Sequence, residues 1–437
     1  MTDPFRKVLM IAYYFPPMGL SGVQRTVKFA KFLPKFGWKP TVLTVEATGY
    51  FALDNSLLQE VEEAGVRIVR TGSFDANRLF RKKGVVRMPP EWARKVLQFF
   101  GDTFLIPDTK IGWKRRALKV ARELLQKERF ELVFATAPPQ TDFLIGEELK
   151  KEFGLPLVLD YRDSWLEYPF KYFPTPLHTF LHRRLEKRVV KASYRIIATH
   201  RRVKEGLLKR YRFLGYHDVD LITQGFDEED FSSKERSSRP GVMHIVHAGT
   251  FYGGRSPSVL LHALAAVLQR QPALRGRFAV SFVGNTRESE RKLVKKLGLQ
   301  NEVSLVGYLD HRECVKQLQS ADVLWFIMDD DCSSPGKLYE YIGSRKTIFA
   351  SIVDGYTKQF LEESKAAFFV SPRDAQAHEH TLLELFSLFE KKKLPKVTEE
   401  FANRFNRLAL TGELAKQFES LMDYDKNAFV KLEEDRR

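Results

Sequence analysis

Lys337 and Glu340 stand three residues apart in SSPGKLYEYIGSRKTIFA, residues 333–350. On a helix that spacing places both on one face, about 4.5 Å apart along the axis. Ser334 is expected to cap this helix, Pro335 to open it and Gly343 to mark its end. Lys337 then lies in the first turn, among N–H groups with no partner inside the helix, which suits a phosphate. A carboxylate one turn further on can accept both hydroxyls of a ribose, each charge-assisted bond contributing about 1.5–3 kcal/mol. The alternative reading of the same letters is a surface Lys–Glu pair worth about 0.2–0.5 kcal/mol.

Two further segments have this character. In HAGTFYGGRSPSVLL, residues 247–261, Ser256 and Pro257 read as an N-cap and a first helical position. Arg255 stands just before them, so a guanidinium adjoins the positive end of a helix dipole, and both favour a diphosphate. In FPPMGLSGVQR, residues 15–25, Gly19 and Gly22 would let a phosphate or sugar approach backbone N–H groups at a helix start. The spacing is not G-x-G-x-x-G, and a plain strand-to-helix turn fits the letters equally. Asp163 ends a later apolar run and is a candidate to orient an acceptor hydroxyl or act as base. The alternative there is a structural pair with Arg162. His200 and His247 are read as structural.

These residues need strands to carry them. Apolar runs at Lys7–Phe15, Pro40–Val45, Val66–Arg70, Glu131–Thr136, Leu155–Asp163, Ser193–His200 and Val219–Thr223 read as strands. Helical patterns at Gly22–Phe36, Trp113–Lys127 and Pro176–Lys191 lie between them. A second set follows at Met243–Thr250, Phe278–Asn285, Val303–Leu309, Ala321–Met328, Lys346–Ser351 and Ala366–Val370, with helical patterns at Ser258–Leu268, Arg287–Leu297 and Leu338–Ile342. Such alternation argues α/β architecture with two doubly wound, Rossmann-like parallel sheets. The expected division is a first domain over 1–225 with an insertion at 73–112, a linker over 226–241, a second domain over 242–399 and a helical tail over 400–437. Ligands are expected at the carboxyl ends of the strands, in a cleft between facing domains.

Composition sets the outer bounds. The chain has 437 residues, 43% hydrophobic and 29% charged, the balance of a soluble globular protein. No apolar run approaches the ~20 residues of a membrane helix. The run Val8–Phe15 stops at Pro16-Pro17 without a cleavage pattern, so no signal peptide is expected. Cys314 and Cys332 are too few for a disulfide framework or zinc site, and a reducing, cytoplasmic setting is expected.

Charge is unevenly spread. Residues 1–200 hold 34 Lys and Arg against 21 Asp and Glu, a net of +13 out of +16. The insertion contributes Arg78, Arg81, Lys82, Lys83 and Arg87, then EWARKVLQFFGDTFLIPD, in which Trp92, Val96, Phe99 and Phe100 recur near helical spacing. Trp113, Lys114, Arg115 and Arg116 follow. A basic, aromatic, amphipathic helix fits an anionic membrane surface. It also fits a subdomain helix packed on the first sheet. The basic residues form no nucleic-acid motif, and nucleic acid is not an expected partner.

The order of these segments resembles family-4 glycosyltransferases of the GT-B fold. MIAYYFPPMGLSGVQRTVKFAKFLPKFGWKPTVLTV is similar to their opening strand, glycine loop and first helix. VLDYRDSW resembles the D-x-R-D-x-W segment of a bacterial surface-polysaccharide subgroup, ITQGFD the N-G-x-D turn before the linker, and SPGKLYEYIGSRKTIFA the donor-site helix. The resemblance implies a sugar transferase that uses a nucleotide-diphospho sugar, with no cofactor and no obligatory metal, and with retention at the anomeric carbon. It places Arg255 and Lys337 on the diphosphate, Glu340 on the ribose, and Gly19 and Gly22 beside the donor phosphates and acceptor entrance. The family has a further Glu eight residues before the ribose one; this chain has Cys332 there. Asp329, Asp330 and Asp331 either replace it or form a solvated loop.

The expected function is therefore transfer of a sugar to a lipid-linked or glycan acceptor in polysaccharide or glycoconjugate synthesis, at the inner membrane face. Two alternatives stay open: a nucleotide-sugar 2-epimerase of shared fold, and a non-catalytic binding protein that kept the fold.

Overall fold

The computed structural model describes residues 5–19, 21–46, 52–75, 91–168, 171–232, 239–251, 255–331 and 335–422. One unit holds the chain up to Gln224 together with the helix Arg407–Met422. Its strands are β1 (Arg6–Ile11), β2 (Trp38–Val45), β3 (Arg67–Thr71), β4 (Leu132–Ala137), β5 (Leu157–Tyr161), β6 (Arg195–Ala198) and β7 (Val219–Leu221). They form a parallel sheet in the order β3-β2-β1-β4-β5-β6-β7. The other unit runs from Gly225 to Asn406. Its strands are β8 (Met243–Ala248), β9 (Phe278–Val283), β10 (Val303–Gly307), β11 (Val323–Met328), β12 (Thr347–Ile352) and β13 (Ala367–Val370), in the order β10-β9-β8-β11-β12-β13. Each apolar run read from the sequence carries one strand. Both sheets are doubly wound and Rossmann-like, as expected.

The reason lies in two-sided burial. Parallel strands covered by helices on both faces need continuous apolar sequence. In β11 every residue is buried. Val323, Trp325 and Ile327 join one core cluster, and Leu324, Phe326 and Met328 join the other. Period-two alternation thus feeds two cores from one unbroken run.

Several segments differ from their sequence reading. The Gly22–Phe36 pattern is a helix over Ser21–Phe32 followed by a 3-10 turn over Leu33–Phe36. Part of the stretch expected as linker is packed rather than solvated: Phe226 is buried and its N–H bonds the Phe405 carbonyl at 3.0 Å. In the tail, Phe418 packs edge-on against Trp38 and Phe134, and Trp38 Nε1 donates to Glu419 at 2.7 Å. That helix therefore completes the first sheet's core.

Within the insertion, the helix Glu91–Phe104 exposes Leu97, Phe99, Phe100 and Phe104. It is fastened through the Thr103 carbonyl to His178 at 3.0 Å. Trp113 does not belong with this surface. It is fully buried and donates Nε1–H to Thr71 Oγ1 at 2.8 Å. The basic cluster at Arg78–Arg87 lies outside the described residues. Among the described residues, no helix is long and apolar enough to cross a membrane.

Candidate functional site

Each sheet reverses its winding once, between β1 and β4 in one unit and between β8 and β11 in the other. Connections leaving neighbouring strands there diverge to opposite faces and open a crevice at the carboxyl ends. The segments singled out by the sequence sit at these two points.

In the second unit, β8 leads to Gly249 and β9 to Gly284, both with positive φ. A Cβ on Gly284 would lie 2.3 Å from the Gly249 carbonyl oxygen, so no other residue fits that crossing. The helix Gly336–Gly343 is pinned beside it by Tyr341. The Tyr341 hydroxyl accepts from the Ala248 N–H at 2.7 Å and donates to the Trp325 carbonyl at 3.3 Å. One side chain thus holds the helix to both strands of the reversal. Burial raises the Tyr341 pKa and keeps it a donor.

The start of this helix differs by one residue from the sequence reading, and its end at Gly343 agrees with it. Pro335 is its extended N-cap and Gly336 its first residue; Ser334 and Cys332 lie outside the described residues. Gly343 is the last helical residue rather than a left-handed stop, a role that falls to Arg345 with φ 60°. Gly343 is small for another reason: a Cβ there would meet Phe226 at 2.5 Å.

Lys337 Nζ lies 2.6 Å from Glu340 Oε2 and 3.5 Å from Cys314 Sγ. Glu340 is only 2% exposed, which excludes the surface-pair reading. Burial disfavours the Lys337 ammonium, but Cys314 and Glu340 outweigh it and its pKa lies above the ordinary lysine range. Glu340 Oε1 is buried and makes no hydrogen bond among the described residues. The Nδ1 of His311 stands 3.9 Å from that oxygen. His311 opens the helix His311–Ser320, and its Nε2 lies 2.9 Å from Asp230. Sequence reading missed His311, Asp230 and Tyr341. A histidine behind the N-cap Asp310 carries no spacing signal of its own.

Arg255 stands across the reversal from this helix, after β8. Its Nε donates to Asp329 at 2.8 Å and its Nη2 to Asp330, both in the loop after β11. Asp331 turns elsewhere and accepts the Tyr356 N–H at 2.8 Å. Asp329 and Asp330 therefore converge on Arg255, and only Asp331 points away. Ser256 Oγ accepts the Ser258 N–H at 3.2 Å, but Pro257 rather than Ser256 is the N-cap of the helix Ser258–Arg270, one residue later than the sequence reading. His247 is structural: it stacks on Phe251, bonds the Trp325 carbonyl at 3.0 Å, and burial lowers its pKa to about 4.

In the first unit, Gly19 gives its N–H to the Ala52 carbonyl at 2.9 Å, so that amide is engaged within the protein. Gly22 lies in the first turn of the helix Ser21–Phe32, and its carbonyl accepts from Arg162. Arg162 also reaches the Pro138 carbonyl, joining the ends of β5, β1 and β4. Asp163 is half-buried where β5 ends. The rest of its segment is structural. Asp160 binds Arg25 at 2.8 Å, both side chains 1% exposed, and accepts from Thr136 at 2.7 Å. Trp165 is fully buried and donates to His182 at 3.0 Å.

Comparison with known proteins agrees with this geometry. Residues 22–213 match the Glycosyl transferase 4-like domain, and residues 228–404 match Glycosyl transferases group 1. A D-inositol 3-phosphate glycosyltransferase of Pseudarthrobacter chlorophenolicus is 26% identical over 148 residues, 32% of this chain. That match spans only 35% of the relative's length. A glycosyltransferase from Rickettsia africae superposes with a TM-score of 0.64 at 15% identity, over 96% of this chain and 100% of that one. Anabaena HepE, crystallised with UDP and glucose, gives 0.64 at 14% identity, over 95% and 100%. Identities this low speak to the fold.

Proposed function

This chain belongs to the family-4-like glycosyltransferases of the GT-B fold, and we propose that it transfers a sugar from a nucleotide-diphospho sugar to a lipid-linked or glycan acceptor in polysaccharide or glycoconjugate synthesis. One observation carries the reading. At the β8/β11 reversal a buried carboxylate, Glu340, keeps one oxygen without a hydrogen bond among the described residues while Lys337 holds the other. A buried, unbonded carboxylate oxygen is costly and calls for a donor. Ribose hydroxyls supply two.

In this proposal Lys337 and Arg255 take the diphosphate. As the bond from the anomeric carbon to the diphosphate oxygen breaks, negative charge grows on the leaving group. Two fixed cations and a helix N-terminus stabilise it more than the ground state. We further propose transfer without an obligatory metal and with retention, as the family resemblance implies. Gly22 borders the donor phosphates and acceptor entrance; Gly19 shapes that turn rather than donating its bonded N–H. Asp163 orients the acceptor hydroxyl. HepE, crystallised with UDP and glucose, supports a uridine nucleotide as the first donor to try.

The first unit's surface supports the proposal of a lipid-linked acceptor. Leu97, Phe99, Phe100 and Phe104 are exposed beside Leu177 and Phe180, and Arg183, Arg184 and Lys187 are exposed nearby. We propose that this face touches an anionic membrane from the cytoplasmic side. A donor-panel hydrolysis assay tests the function: one nucleotide sugar should be hydrolysed slowly without acceptor, in the presence of a chelator, releasing the retained anomer. No turnover of any donor would contradict the proposal.

A further inference from the structure

We infer that His311 is a positioning residue for the donor site, holding Glu340 through the chain Asp230–His311–Glu340. The inference rests on the ribose role proposed for Glu340. Three elements meet here. Asp230 lies in the turn Glu228–Phe231, which Gln319 fastens to the His311 helix through the Phe231 carbonyl at 2.9 Å. His311 opens that helix and is 7% exposed. Glu340 and Lys337 face it from the helix Gly336–Gly343, and Cys314 sits one turn along from His311, 3.5 Å from Lys337. Among the described residues, Asp230, Glu340 and Lys337 act on the ring, Cys314 lies beside Lys337, and an Asp227 carboxylate oxygen lies within 4.8 Å of one of Asp230.

The Asp230 carboxylate, 2.9 Å from Nε2, requires the proton on that nitrogen. Neutral His311 then turns the Nδ1 lone pair toward the Glu340 oxygen 3.9 Å away. Protonated His311 turns an N–H there instead. The charged ring draws Oε1 into place, with Oε2 held by Lys337, and the carboxylate faces the ribose in one orientation. Burial opposes the charge on His311, but Asp230 and Glu340 outweigh it, and its pKa is raised. Donor affinity should therefore fall as pH rises through that raised value.

The test is UDP affinity between pH 6 and 9 for the parent, His311→Gln, Glu340→Gln, the double variant and Cys314→Ser. Taking each variant's ratio to the parent removes UDP's own titration. At pH 6 His311→Gln should bind UDP roughly threefold to thirtyfold more weakly, and the gap should close by pH 9. In the Glu340→Gln background the same change should have little effect, and Cys314→Ser should keep the parent's profile. Asp230→Asn, which keeps the shape, should shift the profile to lower pH and serves if His311→Gln does not fold. Parent binding with a pH profile unchanged in His311→Gln and Asp230→Asn would overturn the positioning role alone. Equal His311→Gln effects with and without Glu340 would do the same. No UDP binding by the parent at any pH, with none by the other nucleoside diphosphates, would overturn the donor-site reading and this inference with it.

Discussion

Glu340 offers one carboxylate oxygen to Lys337 at 2.6 Å and holds the other, buried, without a hydrogen bond among the described residues. The asymmetry divides two jobs within one turn of helix. The bonded half fixes the ammonium at the helix mouth, and the open half waits for hydroxyl donors.

Replacing that open half should change selectivity more than fold. Glu340→Gln keeps the shape but loses the charge that strengthens bonds from hydroxyls. The ratio of ribo- to deoxyribonucleotide affinity should fall toward one. An unchanged ratio would move Glu340 off the ribose.

The first unit has its own buried pair. Arg25 and Asp160 are each 1% exposed at the side chain, and Arg25 also donates to the Thr223 carbonyl at 2.7 Å. Removing one partner strands a buried charge. Arg25→Ala should lower stability by about 3–5 kcal/mol, read from the urea midpoint. A loss under about 1 kcal/mol would show that water reaches Asp160.

Acid should weaken the fold through two histidines. Burial lowers His247 to about 4 and, with help from nearby Lys171 and His178, His182 to about 3. Both values lie below the unfolded pKa near 6.5, so the unfolded chain binds more protons below that pH. Stability from each is present above about 6.5 and lost as pH falls toward the folded values, at up to about 1.4 kcal/mol per pH unit. Thermal midpoints should drop between pH 6.5 and 4, and the drop should be shallower in His247→Phe. Identical slopes in parent and variant would remove His247 from the account.

Attachment to membranes should be peripheral and salt-sensitive. Each Lys or Arg near an anionic surface contributes about 1 kcal/mol, screened as salt rises. The protein should sediment with anionic vesicles at low salt and far less at high salt or with neutral vesicles. Replacing Phe100 and Phe104 by Ser, or Arg81, Lys82 and Lys83 by Ser, should weaken sedimentation and leave nucleotide binding intact. Equal binding to neutral vesicles would contradict the electrostatic part, and no binding at all would favour a soluble acceptor.

The fold was legible because parallel strands write burial on both faces as unbroken apolar runs, as β11 shows. The site was legible only where a residue pair obeys helical spacing, as Lys337 and Glu340 do. Arg25 and Asp160 lie far apart in sequence, and only the packing of the helix Ser21–Phe32 on the sheet brings them together. His311 and Asp230 likewise meet only through the packing of a helix start on a turn, two elements with no shared period. Trp113 stayed ambiguous because aromatic residues beside lysines look alike whether they face lipid or a core. Gly343 marked the helix end as read, but its second task, clearing room for Phe226, carries no sequence signal.

The most direct measurement is calorimetric titration of the parent, Lys337→Ala and Arg255→Ala with UDP, GDP and ADP. The parent should bind at least one of them at a single site. Each variant should stay folded and bind that nucleotide roughly ten- to more than a hundredfold more weakly, the loss of one charge-assisted contact. No binding by the parent, or unchanged affinity in both variants, would contradict a donor site built on Lys337, Glu340 and Arg255.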